Sequence, residues 1–233
     1  FGTSAGLVKE MVSGSTLIKK NDGLPADWVV SIAYTPMDNL LWIGTPFGVA
    51  MFEGTKWQTF FTDNGLPDNY ISSIITTQKE VLIGTHGGLV VVDLKEFTTK
   101  NSFLCKNYTT ANGLNSNIIT SLCKDDTGVW VGTENGLTYV LGSFSSSDPP
   151  KFENYTTANG LPNNYITCIE IDSSSNVYVG TKSGLAHFDG TSWGVYTKEN
   201  GLAGNMVTAL TNVNNQIFVG TNFGLTRITL VSK

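Results

Sequence analysis

The chain has 233 residues and a formal net charge of −5, from 19 acidic and 14 basic residues. Its longest basic run is Lys19-Lys20, so we expect no nucleic-acid partner. No segment approaches the roughly 20 apolar residues of a membrane helix, and the three cysteines have no metal-ligand spacing and an odd number, so we expect no membrane contact, metal site or disulfide framework.

The N terminus begins in the middle of a pattern. Phe1-Gly2-Thr3 aligns with Ile43-Gly44-Thr45 further along, and we interpret both as the end of a β-strand. We therefore expect a segment upstream of Phe1, and any targeting signal would lie there.

Gly-Thr pairs recur along the whole chain, and each Thr is followed three residues later by another Gly. The pairs begin at Gly2, Gly44, Gly84, Gly132, Gly180 and Gly220. Their spacings are 42, 40, 48, 48 and 40 residues, which is too long for a coiled coil and typical of a four-stranded propeller blade.

A second motif keeps step with the first. It is Asp22-Gly23-Leu24-Pro25, Asn64-Gly65-Leu66-Pro67, Asn112-Gly113-Leu114, Asn159-Gly160-Leu161-Pro162 and Asn200-Gly201-Leu202. Five residues after each Leu the chain has Val or Ile, and seven after it has only Ser, Cys or Ala. A β-branched strand with a column of small side chains suits the crowded innermost strand of a blade, strand a.

Three more strands complete each repeat. An apolar run such as Leu40-Leu41-Trp42-Ile43 predicts strand b, covered on both faces. The Gly-Thr closes strand b, the next Gly begins strand c because a tight hairpin needs positive φ, and a segment such as 193–196 forms strand d. Residues 1–20 would supply the end of b, then c and d, and residues 205–231 would supply a, b and c.

The predicted fold is all-β, a propeller of four-stranded antiparallel blades in a single domain over residues 1–233. Six Gly-Thr copies favour six blades, two of them short of a strand. The alternative is five blades in which strands from the two termini merge and remove an exposed edge.

The combined pattern of Asn-Gly-Leu-Pro, a Val/Ile strand, Leu-Trp-Ile-Gly-Thr, Gly-Leu, Phe-Asp-Gly and Trp resembles the two-component regulator propeller repeat over essentially the whole chain. That resemblance implies a sensor propeller of the kind found in the periplasmic region of bacterial hybrid two-component kinases, with carbohydrate or related small molecules as ligands. It also implies a periplasmic or extracellular location. The chain has no kinase, receiver or DNA-binding motif, so a stand-alone relative is one interpretation.

Function is expected on one face of the propeller. The b-to-c hairpins and the d-to-a loops share that face, and variable residues on a rigid frame are where binding groups tend to lie. The candidate ligand-binding residues are Phe47, His86, Glu134, Asn135, Lys182, Asn222 and Phe223. The ligand would be a small molecule, a glycan or a peptide.

Some of these residues have a competing structural interpretation. Trp28, Tyr70 and Tyr165 share a column with Ile118 and Met206, so packing between blades is the expected role of that column. His86 and Lys182 are equally compatible with solvated loop residues and with ligand contacts.

The leading hypothesis is a noncatalytic binding or sensing propeller, whose signal would be carried by a partner or a flanking domain. A second is a protein-interaction scaffold, which predicts an apolar or charged patch on a blade flank or the opposite face. A third is a propeller lyase similar to streptogramin lyases, using His86 and Glu134. The chain has no nucleophile elbow, phosphate loop or cofactor motif, so we expect neither catalytic residues nor a cofactor. His187 aligns with Met51 and Arg227 within strand c, so we expect no metal or catalytic role for it. Asp125-Asp126 is interpreted as a turn former.

Overall fold

The protein is described by a computed structural model that covers residues 1–12, 14–100, 102–144, 148–214 and 216–229. Within these residues the chain forms six antiparallel sheets, each built from strands consecutive in sequence. Four sheets have four strands, whereas the first and the last have three. The all-β propeller with six blades, two of them short of a strand, is thus confirmed over the five-blade alternative.

The first three sheets hold eleven strands. The first sheet is β1 (Gly2–Thr3), β2 (Gly6–Met11) and β3 (Gly14–Ile18). The second is β4 (Ser31–Thr35), β5 (Leu40–Thr45), β6 (Gly48–Phe52) and β7 (Trp57–Phe60). The third is β8 (Ile71–Thr76), β9 (Glu80–Thr85), β10 (Gly88–Asp93) and β11 (Cys105–Tyr108), with helix α1 (Leu94–Lys100) between its last two strands.

The last three sheets hold the other eleven. The fourth is β12 (Ile119–Lys124), β13 (Gly128–Thr133), β14 (Gly136–Leu141) and β15 (Lys151–Tyr155). The fifth is β16 (Ile166–Ile171), β17 (Val177–Thr181), β18 (Gly184–Phe188) and β19 (Trp193–Tyr196). The sixth is β20 (Val207–Val213), β21 (Gln216–Thr221) and β22 (Gly224–Thr229). The final residues of its predicted strand c, 230 and 231, lie outside the described residues.

The sheets divide between two compact units. The first unit contains the first three sheets, and the second contains the last three apart from Ile119. In the first unit, Trp42, Val49, Leu66 and Ile71 share one apolar cluster that also takes in Phe97 of α1. In the second unit, equivalent clusters join the fourth sheet to the fifth and the fifth to the sixth.

The Gly-Thr motif closes the hairpin between strands b and c. The Thr45 hydroxyl donates to the Gly48 carbonyl (2.9 Å) and accepts from the Phe47 amide (3.1 Å). Gly48 has φ 134°, in the region that favours glycine. Equivalent hydroxyl-to-carbonyl bonds form at Thr3, Thr85, Thr133, Thr181 and Thr221.

The Asn-Gly-Leu motif is scaffold as well. The Asn64 side chain accepts from the Phe61 amide (2.8 Å), and Leu66 is 3% exposed. A second anchor, not predicted from the sequence, lies three residues after the Leu, where Asn69 accepts from the Thr62 amide (2.9 Å). The same bond is made at Asp27, Asn117, Asn164 and Asn205. Both side chains fix the loop that leads into strand a.

The column of small residues in strand a lies opposite the Gly of Gly-Thr. Ser31 pairs with Gly44, Ser73 with Gly84, Cys168 with Gly180 and Ala209 with Gly220. A Cβ on Gly180 would stand 2.6 Å from the Cys168 sulfur and 2.7 Å from Val207 of the following sheet. Small residues are therefore required on both strands where adjacent sheets approach most closely.

An aspartate organises the turn between β16 and β17. Asp172 is 6% exposed, and its carboxylate accepts from the Ser174 amide (2.8 Å), the Asn176 amide (2.9 Å), the Asn176 side chain (2.8 Å) and the Tyr178 hydroxyl (3.3 Å). In the preceding sheet, Asp125 accepts from the Thr127 and Gly128 amides and the Trp130 indole. The role of turn former, predicted for Asp125, is thus also performed by Asp172.

We predict that Asp172→Ala lowers the free energy of unfolding by about 2–3 kcal/mol, because it leaves a buried hydroxyl and two amides without their charged acceptor. Denaturant unfolding followed by circular dichroism measures the loss. Asp126→Ala, at an exposed position in the β12–β13 turn, is the control and should change stability by less than about 0.5 kcal/mol. Equal losses for the two variants would contradict the assigned role of Asp172.

Candidate functional site

In the third and sixth sheets the b-to-c hairpin lies beside the residue that precedes strand a. The His86 amide donates to the Tyr70 carbonyl (3.3 Å), and the Asn222 amide donates to the Met206 carbonyl (3.0 Å). Neighbouring first strands run side by side, since the Ile74 amide donates to the Ser31 hydroxyl (2.8 Å). Within each unit, therefore, the hairpins and the d-to-a loops share one face, as predicted.

The first unit presents an aromatic group on this face, which we call the first hairpin surface: Trp28, Phe47, Tyr70 and His86. Phe47 is 64% exposed and Trp28 is 53% exposed. The His86 imidazole is stacked on the Tyr70 ring, with centroids 4.0 Å apart and planes 17° apart. The surface therefore offers apolar rings beside one oriented, exposed imidazole.

The second unit carries a more polar group, which we call the second hairpin surface: Glu134, Asn135, Tyr165, Lys182, Asn222 and Phe223. The Lys182 ammonium lies over the Tyr165 ring, 3.5 Å from its centroid. Such a cation–π contact at an exposed site contributes roughly 0.5–1 kcal/mol, enough to bias the orientation of a long side chain. Asn163 supports the arrangement by accepting from the Tyr165 amide (2.8 Å) and donating to the Ser183 hydroxyl (3.1 Å).

The other four members of the second hairpin surface, besides Tyr165 and Lys182, are all exposed. The Asn135 amide donates to the Thr133 hydroxyl (3.1 Å), and the Phe223 amide donates to the Thr221 hydroxyl (3.3 Å). Phe223 is 77% exposed. The hairpin backbone is thus fixed while the side chains remain open to solvent.

The expected packing of the aromatic column between blades is wrong for Trp28. Trp28 is more than half exposed, and the rings of Tyr70 and Tyr165 instead support His86 and Lys182 from the hairpin of their own sheet. The strand register explains this, because the residue before strand a is the neighbour of the residue after Gly-Thr. Comparing those two columns in the sequence would have revealed both pairs.

Other chemistry-bearing side chains serve packing. His187 is stacked on the Tyr178 ring, with centroids 4.7 Å apart. Burial raises the pKa of Cys123 to about 11, with a smaller contribution from the nearby Glu170 carboxylate. Burial also raises the pKa of Cys168 to about 11. These thiols are protonated at neutral pH, and all three cysteines are free. Among the described residues, no three His, Cys, Asp or Glu side chains are grouped as a metal would require.

The geometry defines a β-propeller repeat protein with variable side chains on one face of a fixed frame. Residues 113–135 and 160–183 match the family described as "Two component regulator propeller", which confirms the predicted resemblance in these two repeats. No curated protein matches the chain. No helix in the described part of the chain has the length and apolarity needed to cross a bilayer.

Solved structures share the fold. The extracellular domain of BT3049 from B. thetaiotaomicron, designated a hybrid two-component system, has a TM-score of 0.80 and 22% identity over 98% of this chain and 32% of its own. PorZ, a surface component of the type-IX secretion system of Porphyromonas gingivalis, has a TM-score of 0.72 and 18% identity over 96% of this chain and 36% of its own. A streptogramin B lyase has a TM-score of 0.61 and 11% identity over 90% of this chain and 71% of its own. The chain spans about a third of the length of the two-component structures that it matches.

Proposed function

We propose that this chain is a noncatalytic recognition module of an extracytoplasmic sensor, and that it binds its ligand through the hairpin surfaces. The observation that carries the proposal is the pair of aromatic platforms, Tyr70 under His86 and Tyr165 under Lys182, at equivalent positions of otherwise uniform repeats. Uniform residues maintain the frame, whereas these pairs differ from sheet to sheet. A binding site that selects its ligand needs side chains that differ from repeat to repeat, are exposed and are held in a fixed orientation.

The chemistry of these surfaces suits carbohydrate or peptide. On the first hairpin surface, Phe47 offers an exposed ring to an apolar face of a ligand, and His86 offers hydrogen bonds. On the second hairpin surface, Phe223 offers an exposed ring, and Glu134 and Lys182 offer hydrogen bonds and charge. The Thr hydroxyls already fix the hairpin backbone, so the hairpins would lose little conformational entropy when a ligand binds.

A noncatalytic role is supported by the resemblance to sensor propellers and by the protonated state of the buried cysteine thiols. Burial keeps the pKa of the Cys123 and Cys168 thiols high. An extracytoplasmic location is supported by the extracellular domain and surface component among the structural neighbours.

The test is binding to glycan and peptide arrays, followed by titration calorimetry on any hit. We expect Phe47→Ala, Phe223→Ala or Lys182→Ala to weaken binding about tenfold or more, as truncating a central contact does. Met37→Ala is the matched control, because Met37 is 83% exposed in the β4–β5 turn at the opposite end of its strands. The proposal fails if a ligand is found whose affinity drops with Met37→Ala and is unchanged by all three hairpin variants.

A further inference from the structure

The last sheet exposes a side that the equivalent sheets bury. We define the last-sheet face as Phe218, Gly220, Leu225 and Arg227, which pair as Phe218 with Arg227 and Gly220 with Leu225 and so point to one side. Leu225 is 67% exposed. The residues at its position in the other five sheets, Leu7, Val49, Leu89, Leu137 and Leu185, are exposed by 5% or less. Terminal repeats normally present a polar outer face, whereas this one presents an exposed leucine beside the charged Arg227.

The protein itself shows what covers such a face. Leu185 and Tyr178 of the fifth sheet share a cluster with Leu202, from the next Asn-Gly-Leu loop, and Val207, the first residue of the next strand a. Leu137 is likewise clustered with Leu161 and Ile166, Val49 with Leu66 and Ile71, and Leu7 with Leu24 and Val29. In each case the covering groups are a loop leucine and a β-branched residue five positions later.

Gly220 retains room for the second of these groups. A Cβ placed on Gly44, Gly84, Gly132 or Gly180 would stand 2.7 Å from the Val or Ile that begins the next strand a. On Gly220 the nearest atoms belong to Ala209 of its own sheet, at 3.5 Å or more. In the last sheet, therefore, Leu225 is exposed and no side chain of another sheet packs against Gly220.

A second copy of the described chain cannot supply the missing groups. Its five loop leucines, Leu24, Leu66, Leu114, Leu161 and Leu202, are each 3–4% exposed and already packed. Freeing one would undo the sheet-to-sheet contact that it makes. The partner must therefore bring a loop leucine of its own.

We propose that the last-sheet face binds one further propeller repeat, recognised by an Asn-Gly-Leu loop and a following strand that begins with Val or Ile. The loop leucine covers Leu225, and the β-branched residue fills the space over Gly220. The outer edge of β22 then pairs with the strand d that precedes this loop, as β18 pairs with β19.

The test joins such a repeat to the full chain. One extended chain carries a copy of residues 189–229 after Lys233, and a second carries a copy of residues 148–188, so that the result does not depend on one added sequence. The strand c-to-d connection accepts extra residues, since in the third sheet it contains α1. We expect either extension to slow backbone amide exchange in β21 and β22 at least tenfold and to raise the thermal midpoint.

The matched control replaces the added loop leucine and the added β-branched residue by Asp, and it should show no gain. Leu225→Asp should remove the gain in the extended chain while leaving the 233-residue chain nearly unchanged, because Leu225 is exposed there.

The inference is overturned if neither extension slows exchange, or if the Asp controls slow it equally. It is also overturned if the 233-residue chain dimerises in ultracentrifugation through a contact that Leu225→Asp abolishes, since the occupant would then be a second copy. None of these readouts requires a ligand, so failure here leaves the hairpin surfaces untested and unaffected.

Discussion

Trp42→Ala is expected to lower the free energy of unfolding by about 3–5 kcal/mol, the range for deleting a buried aromatic side chain. Trp42 is fully buried in the first unit, 6.2 Å from the ring centroid of Phe60 and 5.5 Å from that of Phe97. Phe97 lies on α1, so the deletion removes the surface against which this helix packs. Denaturant unfolding monitored by circular dichroism measures the change.

Two further variants separate packing from polarity. Trp28→Ala removes the same side chain from a position that is 53% exposed, and it should cost less than about 1 kcal/mol. Trp42→Phe should cost less than Trp42→Ala, because the buried indole N–H has no acceptor among the described residues and its removal relieves that penalty. A Trp28→Ala loss as large as that of Trp42→Ala would contradict this account of the core.

The repeated motifs predicted the frame well because each repeated residue performs a local task. The Thr of Gly-Thr bonds its own hairpin, and the Asn of Asn-Gly-Leu bonds the amide three residues before it, so sequence spacing translates directly into strand boundaries. The predicted strand d at 193–196 coincides with β19. Hydrogen bonds between residues close in sequence are the easiest to predict from a single sequence.

Helix α1 was missed, although two signals for it are present. The 48-residue spacing between Gly84 and Gly132 marks an insertion, and the Asp93 carboxylate accepts from the Glu96 amide (3.0 Å), an N-terminal cap with the Asp-x-x-Glu spacing. A seven-residue helix gives too little periodicity to be recognised, and packing of Leu94 and Phe97 into the core stabilises it. Such tertiary stabilisation is not visible in a local pattern.

The candidate site was predicted less completely than the frame. The face was deduced from topology, but the pairing of His86 with Tyr70 and of Lys182 with Tyr165 joins residues 16 and 17 positions apart through the a-to-b register. The exposure of Leu225 depends on what lies against it, and its motif, Gly224-Leu225, is the same as Gly184-Leu185, where the leucine is fully buried. Identical sequence can therefore occupy different environments in a repeat protein.

Gly132→Ala is expected to lower the free energy of unfolding by about 1–3 kcal/mol, the usual cost of overpacking. The added Cβ would stand 2.7 Å from Cγ2 of Ile166, which is fully buried, and 2.5 Å from the Ser121 hydroxyl oxygen. The hydroxyl can rotate away, but the β-branched side chain of Ile166 is restricted in χ1 and fully buried. The sheets would have to separate by several tenths of an ångström.

Gly220→Ala is the matched control, because Gly220 has the same place in the motif and a Cβ there would meet its nearest atom at an ordinary 3.5 Å. Its stability should change by less than about 0.5 kcal/mol in the 233-residue chain. If the two alanine variants lose equal stability, the glycine is required by the hairpin and not by the neighbouring sheet. If only Gly132→Ala is destabilised, the same variant at Gly220 should become costly once a further repeat is joined to the chain, because that repeat places a β-branched side chain over the glycine.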